Sequence, residues 1–176
     1  MRRILAACGC AFVLLQMSCL PFASGSRIDL GGDWEFRRLG EARWRPARVP
    51  GCALADLHAN RLAPDPFFGD NEAAVQTLDT ASWEYRKSFR VGVGMFARDH
   101  IDLVCEGLDT YAEVYVNDSL VLEADNMFRS WIVPCKEALR EGPNEIRVVF
   151  RSPVRAVERA WASLPAELPG GPRVLA

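Results

Sequence analysis

Asp70, Asn71 and Glu72 stand in a row inside "DPFFGDNEAAVQTLDTASWEYRKSF", residues 65–89. Two carboxylates around an amide suit three tasks. They can be half of an acid and base pair, a lip that holds a hydroxyl-rich ligand such as a sugar, or the packing of a loop against a sheet. An amide offers a donor and an acceptor to a pair of hydroxyls without adding charge, and flanking carboxylates accept further hydrogen bonds. In the packing reading Asp70 and Glu72 cap the loop while Phe67 and Phe68 plug an interface.

Other residues with chemical potential are weaker. Asp109 and Glu113 lie four apart on an extended run, too widely spaced for a short-range acid pair, so Asp109 reads as a turn residue. His58 and His100 are far apart and no cysteine pair has zinc spacing, so neither a metal nor any other cofactor is expected. Trp34, Trp44, Trp83 and Trp131 could be stacking platforms, but aromatics in alternating strands are more often core. Arg129 reads as one half of a surface ion pair, His58 as a helix-end residue and Cys105 as a buried small hydrophobe.

These side chains need a scaffold, and the composition allows one. The chain has 176 residues, 49% hydrophobic and 25% charged, the balance of a single globular domain. With 21 Lys+Arg against 23 Asp+Glu and no long run of either sign, nothing favours nucleic acid or a basic membrane-binding face. Residues 1–25 show two arginines, an apolar run from Ile4 to Leu15 and then small residues, the order of a secretory signal cleaved after Gly25. Lipidation at Cys19 is the rival reading. The apolar run is shorter than the ~20 residues that cross a bilayer, so no membrane span is expected. Outside that signal stand Cys52, Cys105 and Cys135, an odd count that allows at most one disulfide.

From residue 26 to 153 the chain reads as strands at 34–39, 83–91, 100–108, 111–117, 120–125, 128–134 and 144–152, rich in aromatic and β-branched residues. Trp83, Tyr85, Lys87, Phe89 and Val91 share one face of a strand; Ile146, Val148 and Phe150 share one face of another. Asn117-Asp118 marks an exposed hairpin turn and, with Ser119, a formal glycosylation acceptor. Short helices fit 53–60 and 136–140, the latter stopped by Gly142-Pro143. A further helix around 154–162 opens a tail, 154–176, that reads as incomplete. The pattern predicts an all-β, two-sheet antiparallel sandwich with short helical insertions.

Six segments in order, "GGDWEF", "WRPARVPGCALADL", "LAPDPFFGDNE", "WEYRKSF", "CEGLDTYAEVYVND" and "ADNMFRSW", resemble the N-terminal sugar-binding domain of glycoside hydrolase family 2, nearest its β-mannosidase branch. The resemblance spans Ile28 to Pro153. It implies a jelly roll of the galactose-binding type, followed in that family by an immunoglobulin-like domain and a barrel with two catalytic glutamates. Neither follows within these residues, and a Gly-Trp-Asp-Trp-Gly-Pro segment of the family would lie just past Ala176. Retaining hydrolysis needs two carboxyl groups ~5–5.5 Å apart, and the resemblance puts both on the barrel.

The resemblance therefore implies a chain that is inactive alone, whose parent is an exported retaining exo-β-mannosidase acting on oligosaccharide or glycoprotein β-mannosides. It also implies that Asn71 contacts the sugar, with Asp70 and Glu72 accepting from sugar hydroxyls or barrel side chains, and that the loop meets the barrel. The same domain heads β-galactosidases, β-glucuronidases and exo-glucosaminidases. A free-standing carbohydrate-binding module, or a buttress that touches no sugar, is the alternative from another class.

Overall fold

The computed structural model describes residues 26–164. The strands are β1 Gly32–Arg38, β2 Arg45–Val49, β3 Trp83–Val91, β4 Asp102–Cys105, β5 Tyr111–Val116, β6 Ser119–Ala124, β7 Trp131–Pro134 and β8 Gly142–Arg151. They form a six-stranded antiparallel sheet, ordered β2-β1-β3-β8-β5-β6, and a two-stranded sheet of β4 and β7. The all-β sandwich expected from the alternating residues is what forms.

Register shows why. Phe36, Tyr85, Val148, Val114 and Leu122 face one another in a row across five strands, and every one is buried. Leu103 and Cys135, on or next to the small sheet, join the same cluster. A period of two residues thus places this row of large apolar side chains on one face, where burial contributes roughly 1.5–3 kcal/mol each. Lys87 shares that face and ends at the rim, where its amine donates to the carbonyls of Gly31 (2.7 Å) and Asp33 (3.0 Å).

The register also sorts the connections. Arg38 lies opposite Trp83, Trp83 opposite Phe150, Arg151 opposite Tyr111, and Ala112 opposite Ala124. Segments 39–44, 77–82, 106–110 and 125–130 therefore leave the big sheet at one end. So does the helix α4, Pro153–Ala162, whose Ser152 cap accepts from the Arg155 amide and donates to the carbonyl of Asp79 (2.6 Å). The other helices are α1 Ala53–Ala59, α2 Asn71–Gln76 and α3 Val93–Phe96, with 3₁₀ turns at Thr77–Thr80 and Lys136–Ala138.

Several expectations are corrected. Arg45–Val49 is a strand that Pro46 hid, tolerated because β2 lies at the sheet edge. Between the Asp70-Asn71-Glu72 step and the strand expected at 83–91 stand α2 and a 3₁₀ turn that the sequence analysis did not mark. The strands expected at 100–108 and 128–134 shrink to four residues each. The helix expected at 136–140 is a single 3₁₀ turn, and Gly142-Pro143 opens β8, Gly142 supplying a φ of 95°. The proposed signal, with Cys19, and the tail beyond residue 164 lie outside the described residues. Among the described residues no helix is long and apolar enough to cross a membrane.

Candidate functional site

The row Asp70-Asn71-Glu72 sits where a self-closed loop becomes α2. Asp65 organises the loop: its carboxylate accepts from the Phe67 amide (3.0 Å) and its carbonyl accepts from the Asn71 side-chain amide (2.9 Å). The Asn71 backbone amide donates to the carbonyl of Phe68 (3.3 Å). Gly69, at φ 58°, makes the reversal that few side chains tolerate. Asn71 is half-buried and directionally fixed, whereas Asp70 and Glu72 are exposed, Glu72 in the first helical turn where a carboxylate is favourable. Phe67 and Phe68 are 96% and 76% exposed, so the described residues give them no interface to plug.

Earlier in the chain, Asp56 of α1 is buried. It accepts from the Arg48 amide (3.0 Å) and from the Tyr85 hydroxyl (2.9 Å). Burial first, and then Asp56, pushes the Tyr85 hydroxyl far above its ordinary range, so it stays a donor. This clasp anchors the helix leading into the loop to the edge strand β2 and to β3. His58 ends that helix, with Nδ1 3.3 Å from the carbonyl of Ala63, and helps line a shallow depression with Arg61, Leu62 and Pro64.

The outer face of the big sheet carries a second constellation, which the sequence reading passed over. Glu84 is only 3% exposed and is held by Arg37 (2.6 Å) and Arg147 (3.1 Å). Trp44 lies under both Arg37 and Arg86, each guanidinium 4.1 Å from its ring centre, and Arg86 also pairs with Glu35 at 2.8 Å. Trp44 is therefore neither core nor an open sugar platform. The available signal was the run of charged residues opposite the apolar face, Asp33, Glu35 and Arg37 in β1, Glu84, Arg86 and Arg90 in β3, and Glu145, Arg147 and Arg151 in β8.

Farther along, Glu113 takes two hydrogen bonds from Arg151 (2.8 Å each) and one from the Tyr115 hydroxyl (2.8 Å). The Arg151 bonds are the main cause holding its carboxyl below the ordinary 4.5. Glu113 thus contributes stability above that value, which is lost as pH falls through its lowered folded value. Glu113→Gln is expected to lower the urea midpoint at pH 7 and to match the wild type at pH 2. A gap of equal size at both pH values would refute this assignment.

The remaining candidates separate. Trp34 is buried, its indole donating to Leu30; Trp83 and Trp131 are partly buried against the core. Arg129 stacks on Trp131 at 3.9 Å rather than completing the expected ion pair. Asp109 sits in the turn before β5 and Glu113 pairs elsewhere. Cys105 is half-buried, its thiol pushed up to about 11 by burial and then by Cys135. Its strand partner is Trp131, whereas Cys135 lies beside Ile101, about 13 Å along the strands, too far for a bridge.

The Asn117-Asp118 turn forms, with φ of 48° and 68°. Its asparagine is not open to modification as expected. The Asn117 amide donates to Ala138 (2.8 Å) and to buried Asn144 (2.7 Å), and accepts from the Glu145 amide (3.0 Å). A glycan on that nitrogen would displace at least one of these bonds.

Comparison with known proteins fits this geometry. Residues 34–175 match the glycosyl hydrolase 2 galactose-binding domain-like family. The probable beta-mannosidase of Caenorhabditis elegans is 30% identical over 155 residues, 85% of this chain and 17% of that protein. The beta-mannosidase of Bos taurus is 31% identical over 151 residues, 86% of this chain and 16% of that one. The crystal structure of a beta-D-mannosidase from Dictyoglomus thermophilum superposes with a TM-score of 0.79 at 42% identity, covering 82% of this chain and 18% of that one. A beta-D-glucuronidase from the same organism, at 22% identity and TM-score 0.54, shares the fold. The chain spans about a sixth of the curated relatives it matches and is a member of the glycosyl hydrolase 2 galactose-binding domain-like family.

Proposed function

We propose that this chain is the non-catalytic sugar-binding-like domain of an exported retaining β-mannosidase, with Asn71, flanked by Asp70 and Glu72, forming one lip of the pocket for a terminal β-mannoside. The observation that carries the reading is the 42% identity over 82% of the chain to a beta-D-mannosidase structure. On this reading both hydrolytic carboxylates belong to a separate barrel, and this chain alone hydrolyses nothing. Export rests on the order of residues in 1–25.

The test is kinetic. In the full-length polypeptide, hydrolysis of 4-nitrophenyl β-mannoside is expected to exceed that of the β-galactoside and β-glucuronide. There Asn71→Ala should lower kcat/KM by about tenfold to a hundredfold, the worth of a buried ligand hydrogen bond, with the fold intact. Unchanged kinetics would remove Asn71 from the pocket; no mannoside hydrolysis by the wild type would remove the mannosidase reading itself.

A further inference from the structure

Asp65 stands between Pro64 and Pro66. A residue before proline is held in the extended region, and the proline ahead of it has its own φ fixed, so the backbone on both sides of Asp65 has little freedom. This stiff residue is the hub of the loop. Its carboxylate accepts from the Phe67 amide (3.0 Å), and its carbonyl accepts from the Phe68 amide (3.3 Å) as well as from the Asn71 side chain (2.9 Å). The Asn71 backbone amide returns to the carbonyl of Phe68 (3.3 Å), so residues 65–71 close on themselves.

A backbone carbonyl can only accept, so Asp65 settles which end of the Asn71 carboxamide is which. The nitrogen faces the loop. One N–H is used there, while the carboxamide oxygen and the second N–H take no partner among the described residues. The oxygen is not sealed off either. Asn71 is half-buried, and among the described residues the buried side-chain polar atom without a partner is the indole nitrogen of Trp131.

We propose that Asp65 is a positioning residue: by locking the 65–71 loop and the polarity of the Asn71 carboxamide, it presents the Asn71 oxygen as a fixed acceptor for a sugar hydroxyl. This rests on the reading that Asn71 lines the mannoside pocket, and it adds what is recognised at that point, a hydroxyl that donates. A free carboxamide offers either end and must be ordered when the ligand arrives; one ordered beforehand loses less freedom on binding. The Asp65 carboxylate is exposed and forms no ion pair among the described residues, so its removal costs the fold little and leaves the positioning effect to be read.

The first measurement uses no substrate. In a heteronuclear NMR spectrum of this chain the bonded Asn71 carboxamide proton is expected to exchange with solvent at least about fivefold more slowly than the free one. Asp65→Ala should remove most of that difference, and Asp65→Asn, which keeps an oxygen for the Phe67 amide, should restore it. Equal exchange of the two protons in the wild type would overturn the proposal. The second measurement is kinetic, in the full-length polypeptide with 4-nitrophenyl β-mannoside. Asp65→Ala is expected to lower kcat/KM by about tenfold and Asp65→Asn to recover most of the loss. The double variant Asp65→Ala/Asn71→Ala should fall no lower than Asn71→Ala alone, because a residue that acts through another adds nothing once the other is gone. Wild-type kinetics for Asp65→Ala, an Asp65→Asn as poor as Asp65→Ala, or losses that multiply in the double variant would each overturn the proposal, the last by giving Asp65 a sugar contact of its own. If Asn71→Ala is impaired and Asp65→Ala is not, this proposal alone falls; if Asn71→Ala is silent, the pocket reading falls and takes the proposal with it.

Discussion

Glu84→Ala is expected to lower the stability of the chain by about 3 kcal/mol, roughly a 10 °C fall in thermal midpoint for a domain of this size. Among the described residues the carboxylate is the one acid paired with both Arg37 and Arg147, and its side chain is 4% exposed against 25% for each arginine. Removing it leaves two guanidinium groups facing each other across a partly dried patch. The arginines keep some water, which places the cost at the lower end for breaking a buried pair. Arg37 would also lose the anchor that fixes it over Trp44. Urea denaturation of Glu84→Ala and Glu84→Gln measures the effect. The Gln variant, which keeps the shape, should recover part of the loss; a midpoint for Ala within error of the wild type would show the outer-face network to be ornamental.

Phe36→Ala should cost roughly 3–5 kcal/mol and bring the chain close to unfolding at 37 °C. Phe36 is 1% exposed, with its ring 5.9 Å from that of Trp83 and 5.5 Å from that of Tyr85, and Tyr85 meets Phe150 edge-on at 5.8 Å. The ring thus joins β1 to β3 and, through Tyr85, to β8. Its loss opens a cavity that the rigid strands around it cannot collapse into. Phe36→Leu fills most of that space and should recover more than half of the loss in a calorimetric scan. Equal midpoints for Ala and Leu would place the ring outside the load path of the core.

What could be read beforehand follows from how local each signal is. The seven strands expected from the sequence are rich in aromatic and β-branched residues and several alternate cleanly, because period two is a property of the strand itself. Strand β2 escaped since Arg45-Pro46-Ala47-Arg48-Val49 carries one buried residue, Ala47, and owes its form to pairing with β1. The Asp70-Asn71-Glu72 row was legible as a dense polar step, but not that Asp65 folds the loop back on Asn71, six residues on. Glu84 carries no mark in the sequence beyond its place opposite the apolar face of its strand. That two arginines from β1 and β8 seal it depends on strand order, which no single strand encodes. Arg129 was assigned to an acid when the nearest partner was Trp131, two residues away in its own chain.

The central pairing of β3 with β8 joins Trp83 to Phe150 and Val91 to Gly142. During synthesis the β1–β2 and β5–β6 hairpins can close from neighbouring residues as they emerge. The middle of the large sheet cannot, because β8 is needed by both β3 and β5. At ~5–20 residues per second the ribosome holds two half-sheets open for seconds, apolar faces bare, until Arg151 is out. For this fold the vulnerable species is a nascent chain that has not yet released β8, the strand that ends its exposure.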